Sequence, residues 1–257
     1  MKTAIIAGTG VDELIDFGDI TTVTTRFGEA EVVEARLRDT TFLFVPRHGT
    51  GHSVAPGAIN YRAQIAAIKK MCVHQIIGVC AVGSLNSGLS TGSLAILKDF
   101  IDLTKRRADT FFDDPNGPVV HTDFTQPYCP EISQALHDAC RDEDISFEAN
   151  AVYIGVEGPR YETPAEIRLY ASWGGDVIGM TNVPEVILAR EAGLCYGALA
   201  IVSNMASGIS PTPLAHDDVR AAVLSSSTTL AAVLDRAIKS IPETRGCACG
   251  TNTGLKL

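Results

Sequence analysis

The sequence predicts an α/β fold in a single domain, with a mixed, mostly parallel central sheet flanked by helices. Three observations carry that reading. Apolar runs of near-continuous character recur along the chain, helical patterns lie between several of them, and no repeat, low-complexity stretch or linker divides the 257 residues. A chain of that length can bury one large core without being split.

The elements follow in order. Apolar, β-rich runs at 3–8 (TAIIAG), 41–47 (TFLFVPR), 75–84 (QIIGVCAVGS), 93–101 (SLAILKDFI), 151–158 (AVYIGVEG), 176–180 (DVIGM) and 197–204 (GALAIVSN) read as strands. Between them, 61–72, 129–143, 165–174 and 182–193 have helical spacing, and 216–241 reads as one long amphipathic helix closing the fold. The helix near 165 has an explicit start: Thr163 as N-cap, Pro164 at the first helical position and Glu166 completing a capping box. Glu162, one residue ahead of that cap on a loop tightened by Gly158 and Pro159, is left over to point at something other than its own backbone.

Composition narrows the function classes. Hydrophobic residues make up 46% and charged residues 20%, a well-buried globular balance, and the net charge of −9 gives no basic stripe for a nucleic acid. The only basic run, Lys105-Arg106-Arg107, reads as a solvated face or loop. The N-terminus MKTAIIAGTG resembles neither a signal peptide nor a membrane span, so a cytoplasmic protein is expected. Of seven cysteines, Cys72, Cys80, Cys140 and Cys195 lie in apolar or helical surroundings. Cys247-Ala248-Cys249 is too close for a relaxed disulfide and has no second pair or histidines beside it to complete a zinc site, so no metal is expected. Residues 246–257 read as a Cys-x-Cys tail on a domain spanning 1–245.

In open α/β folds ligands bind beyond the carboxyl ends of the strands. Polar residues collect there: Thr9, Arg47 with His48 and His52, Ala81 to Ser84, Met180-Thr181, and Asn204. The loop AGTGVDEL would place Glu13 at the third glycine of a dinucleotide fingerprint, where a carboxylate repels a pyrophosphate; a small glycine loop with a hydroxyl can still hold one phosphate. Arg47 and His48 offer donors to the same anion. Cys80 lacks both the spacing and the base of a nucleophile turn, which leaves backbone donation around it as the better use.

The runs IAGTG, VPRHGTGH with INYRA, AVGSL, EGPRYET, GMTNVPEVILAREAG and IVSNMASG, in this order and spacing from about residue 3 to 240, resemble the trimeric purine nucleoside phosphorylase and methylthioadenosine phosphorylase family. The resemblance implies a nucleoside phosphorylase-like fold and cleavage of a purine nucleoside by inorganic phosphate, without metal or organic cofactor. By matching motif positions it implies a phosphate site of Thr9, Arg47, His48, Ala81 and Thr181, with His52 as a further contact. Met180 would lie under the ribose, with Cys80, Val82, Gly83 and Tyr161 around the nucleoside. Cys80 stands where many relatives have Thr or Asn.

Asn204 is implied as the group that stabilises the departing base, and Glu162 as its partner. A carboxylate accepts from the N1–H of a 6-oxopurine and is repelled by the bare N1 of adenine, whereas adenine-specific relatives pair a small hydroxyl residue with an aspartate at these two positions. The pair therefore reads inosine or guanosine. His216 falls where relatives that bind a 5′-hydroxyl have histidine, with S-methyl-5′-thioinosine or S-methyl-5′-thioadenosine as the alternative substrates. His121 matches a residue that reaches a neighbouring subunit's site, which implies a homotrimer or a dimer of trimers.

Overall fold

The computed structural model describes residues 2–8, 10–51, 53–210 and 216–251, without the side chains of 216–218. Among these residues nine strands form one mixed sheet: β1 (Thr3–Ala7), β2 (Asp16–Thr25), β3 (Gly28–Leu37), β4 (Thr40–Pro46), β5 (Gln75–Ser84), β6 (Leu94–Asp102), β7 (Phe147–Gly155), β8 (Val177–Gly179) and β9 (Cys195–Met205). The order is β2-β3-β4-β1-β5-β8-β7-β6-β9, and β9 also pairs with β5. The last five strands therefore close into a ring, β5-β8-β7-β6-β9 and back to β5, from which β1, β4, β3 and β2 extend as an open wing. Five of the nine pairings are parallel: β1 with β4 and with β5, β5 with β9, β6 with β7, and β7 with β8.

Two helical layers cover the sheet. One apolar cluster joins α1 (Tyr61–Lys70) and α4 (Asn182–Glu191) to one face, and a second joins α2 (Pro130–Asp142), α6 (Ser227–Ser240) and Val223 of α5 (His216–Ser225) to the other. A smaller cluster seats Ile167 of α3 (Pro164–Ser172) against Ile154 and Ile178. Strands covered on both faces must be apolar throughout. β9 shows it: every residue from Cys195 to Ser203 is buried, and exposure begins at Asn204, where the strand runs out towards its carboxyl end.

Three expectations need correction. The hairpin β2–β3 was not expected, because most of β2 is exposed and its sequence, DFGDITTVTT, has little apolar alternation. The single helix expected over 216–241 is two, α5 and α6, parted at Ser226. The Ser225 and Ser226 hydroxyls both donate to the Ala222 carbonyl, at 2.7 and 3.2 Å, and such back-bonding competes with the helical ladder. The basic run is no solvated face at Arg107, whose side chain is 2% exposed. Its guanidinium donates to the carbonyls of Met180, Val183, Val156 and Glu157, at 2.6, 2.7, 3.3 and 2.8 Å, and so ties together the segments that follow β7 and β8.

The stretch read as a tail is packed on the body as far as it is described. Arg245 Nη1 donates to the Gly193 carbonyl at 3.1 Å, the Gly246 N–H donates to Glu131 at 2.7 Å, and Cys249 is buried in the short turn Ala248–Gly250.

Candidate active site

A cavity of about 520 Å³ opens where β1, β5, β8 and β9 end. Arg47, His48, Ala81 and Thr181 line it together with Cys80, Val82, Gly83 and Met180, and Tyr161, Glu162 and Asn204 complete the set. Eleven sequence-predicted residues from five separate segments therefore converge. Thr9 and His52 lie outside the described residues. His216 heads α5, its side chain also undescribed, and Val219 of the same helix lines the cavity. His121 is exposed and is not part of the cavity of its own chain.

Arg47 is not a fork open to an anion. Its Nε and Nη2 donate to the two carboxylate oxygens of Glu185 at 2.7 and 2.9 Å, Nη1 donates to the Val79 carbonyl at 2.7 Å, and Nη2 also donates to the Ile6 carbonyl at 3.0 Å. A guanidinium has five N–H groups, so these bonds leave one, on Nη1, for the cavity. Burial alone would lower the affinity of Arg47 for its proton, but Glu185 at contact distance more than offsets it and raises that affinity above the ordinary arginine value. His48 Nδ1 lies 2.7 Å from the Val54 carbonyl, which only accepts, so the proton sits on Nδ1.

Glu185, absent from the sequence-based candidates, belongs to a buried chain of polar groups. The Tyr196 hydroxyl donates to Glu185 at 2.6 Å, Asn182 Nδ2 donates to that hydroxyl at 2.9 Å, and the Tyr128 hydroxyl donates to Asn182 Oδ1 at 2.5 Å. Room for this chain inside the sheet comes from Gly78, where a Cβ would overlap the Tyr196 hydroxyl. Tyr153, also unforeseen, accepts from the backbone N–H groups of Thr181 and Asn182 at 3.1 and 3.3 Å and so fixes the start of α4. The Thr181 hydroxyl is not used in capping that helix. The signal was present in GMTNVPE, which contains Asn182 and Glu185.

Also on the cavity wall, the Asn204 amide is oriented by two neighbours. The Ser203 hydroxyl donates to Oδ1 at 2.8 Å and Nδ2 donates to the Met205 carbonyl at 3.0 Å, which leaves one N–H and one lone pair. The capping box of α3 is present as expected: the Glu166 N–H donates to Thr163 Oγ1 at 3.2 Å, and the Thr163 N–H donates to Glu166 at 2.8 Å. Glu162 stays outside it, although, contrary to the sequence expectation, its carboxylate accepts from its own backbone N–H. Burial raises its carboxyl above the ordinary carboxylate range, and the negative charge of Glu166 adds to the shift. Gly158 admits Met180 to this wall, because its φ of +66° suits glycine and a Cβ there would strike the Met180 sulfur. The Cys80 thiol is pushed up to about 12 by burial, which keeps it neutral and un-nucleophilic.

Arg47, His48 and Thr181 bring hydrogen-bond donors to the cavity, Met180 and Val82 bring apolar surface, and Glu162 and Asn204 bring one carboxylate and one amide. The pattern of the phosphorylase superfamily matches residues 2–239. A probable 6-oxopurine nucleoside phosphorylase of Moorella thermoacetica is 45% identical, over 99% of this chain and 98% of its own. A 6-oxopurine nucleoside phosphorylase of Pyrococcus furiosus is 42% identical over 96% of each. Among solved structures, a methylthioadenosine phosphorylase from an antarctic soil metagenomic library superposes with a TM-score of 0.88 at 33% identity, covering 98% of this chain and 90% of that one.

Proposed function

The chain belongs to the phosphorylase superfamily, and from that membership we propose that it is a pentosyltransferase acting on 6-oxopurine nucleosides, cleaving inosine or guanosine with inorganic phosphate to free base and ribose 1-phosphate. A phosphate held by Arg47, His48, Thr181 and the backbone at Ala81 attacks C1′ as the C1′–N9 bond breaks, and the bonding pair leaves with the purine. The sugar passes through an oxocarbenium-like state whose positive charge the phosphate stabilises from beneath. The remaining Asn204 N–H stabilises the charge that develops on the base. The step consumes phosphate as co-substrate and draws on no metal or organic cofactor.

The observation that carries the base preference is the position of Glu162. It lines the same cavity as Asn204, outside the helix cap and outside the bidentate grip of Arg160, and beyond the bond from its own backbone N–H its carboxylate keeps lone pairs for an N1–H donor. Adenine presents a lone pair at that point and would leave the carboxylate unpaired.

A second reading is a methylthio-nucleoside substrate, S-methyl-5′-thioinosine or S-methyl-5′-thioadenosine. It is favoured by Val219, an apolar residue on the cavity wall one turn beyond His216. We also infer a cytoplasmic homotrimer, or a dimer of trimers, in which His121 serves a neighbouring cavity; its exposure on the lone chain supports this.

Phosphate-dependent base release from inosine, guanosine, adenosine, methylthioadenosine and methylthioinosine, ranked by kcat/KM in one assay, tests the proposal. Preference for inosine and guanosine is expected. Preference for methylthioinosine would keep the base assignment and overturn that of the 5′ side, and preference for adenosine would overturn the role of Glu162.

A further inference from the structure

Cys129, Cys195, Cys247 and Cys249 come together in space with all four sulfurs within 4.8 Å of one another. The second cysteine pair judged absent from the sequence is therefore supplied by the fold, from positions 66 and 52 residues apart in the chain. None of the four lines the nucleoside cavity. We propose that they form a closed tetrathiolate site for a soft divalent metal ion, zinc being the best match, an inference independent of the nucleoside reading.

Geometry separates this from two disulfides. The Cys247 sulfur lies 3.6 Å from that of Cys129 and 3.5 Å from that of Cys195, two near-equal distances. A disulfide needs a separation of about 2.05 Å, and all four cysteines are free thiols. A tetrahedral metal with metal–sulfur bonds of about 2.3 Å has sulfur–sulfur edges of about 3.8 Å, close to the two measured at Cys247 and compatible with the 4.8 Å that bounds the rest.

Each ligand is positioned by an anchored backbone. Cys129 is the N-cap of α2, and its N–H donates to the Tyr196 carbonyl at 2.7 Å; Cys195 opens β9, and its N–H donates to the His74 carbonyl at 2.9 Å. The other two flank Ala248 in the short turn fastened by Arg245 and Gly246. Three of the four are buried and the fourth is half-buried, so the site is shielded from water.

Charge is also provided for. Four thiols would give up their protons to solvent and bind the dication with no transfer of electrons, leaving two negative charges. The N-terminal end of α2, with its positive dipole, lies at Cys129. With four protein ligands and no open position, the site is structural: it clamps the segment after α6 to the starts of α2 and β9.

The test uses the full chain, purified under reducing conditions without chelators or metal-affinity resin. Elemental analysis after gel filtration is expected to give about one zinc per chain, and the apoprotein loaded with cobalt(II) is expected to show the intense absorption of four-thiolate tetrahedral coordination. The variant combining Cys247→Ser and Cys249→Ser, folded by circular dichroism, is expected to lose the metal. Cobalt loading of the unaltered chain keeps the test open if that variant fails to fold. Three results would overturn the proposal: an intact mass about 4 Da low, signalling two disulfides; four freely titrating thiols with no metal uptake; or a cobalt spectrum of fewer than four thiolates.

Discussion

Arg160 closes its guanidinium on both oxygens of Glu166, at 2.8 and 2.7 Å, and makes no such bond to Glu162, although Glu162 stands nearer in the chain. The helix cap takes up one carboxylate and leaves the other for the cavity. Because burial raises the Glu162 carboxyl, the folded protein holds that proton more tightly than the unfolded chain does. The associated stability is full below the unfolded value, about 4.3, and is lost as pH rises through the folded one.

Glu162→Gln should therefore raise Tm at neutral pH and give no advantage in acid, while kcat/KM for inosine falls by about 10² to 10⁴. In the unaltered enzyme the inosine rate should decline on the acid side, as the carboxylate that accepts from N1–H becomes protonated. Thermal scans at several pH values, paired with initial rates, check both. A Tm gain that persists in acid would place the effect elsewhere.

Asn204→Ala removes the donor proposed to act on the departing base. We expect kcat to drop by about 10² to 10³ with little change in the KM for phosphate. Glu162→Ser combined with Asn204→Asp should turn the preference towards adenosine. Steady-state kinetics with both substrates varied would show an unchanged kcat if the base were stabilised by another group.

Arg47→Met leaves the Glu185 carboxylate buried without its partner and should cost about 3 to 5 kcal/mol of stability, together with phosphate binding. Adding Glu185→Leu should restore much of the stability and none of the phosphate affinity. Chemical denaturation alongside the phosphate KM separates the two roles; recovery of activity in the double variant would show that Arg47 does not hold the anion.

Arg107→Ala releases four backbone carbonyls from a buried cation and should destabilise the protein by about 3 kcal/mol or more. Because one of those carbonyls belongs to Met180, the KM for nucleoside should rise before the KM for phosphate does. Equal effects on both would mean that the loss is global.

What the chain disclosed by itself follows from how burial writes on sequence. β5 and β9 are covered on both faces, so their apolar runs announce them, and the polar residues at their ends announce the cavity. β2 has an open face and leaves no such trace. Glu185, Arg107 and the Tyr128–Asn182–Tyr196 chain escaped because a buried charge or hydroxyl is spelled with the same residues as an exposed one, and only packing tells them apart. The four cysteines escaped because proximity in space is not proximity in sequence.

The Arg47–Glu185 pair has one more consequence. Its two charges cancel at contact distance inside a chain of net charge −9, so an approaching phosphate meets no long-range attraction from the group proposed to hold it. Capture must rest on dipoles and hydrogen bonds felt only at close range. The rate at which phosphate enters should then not fall as ionic strength rises, unlike that of enzymes that draw anions in with a positive field.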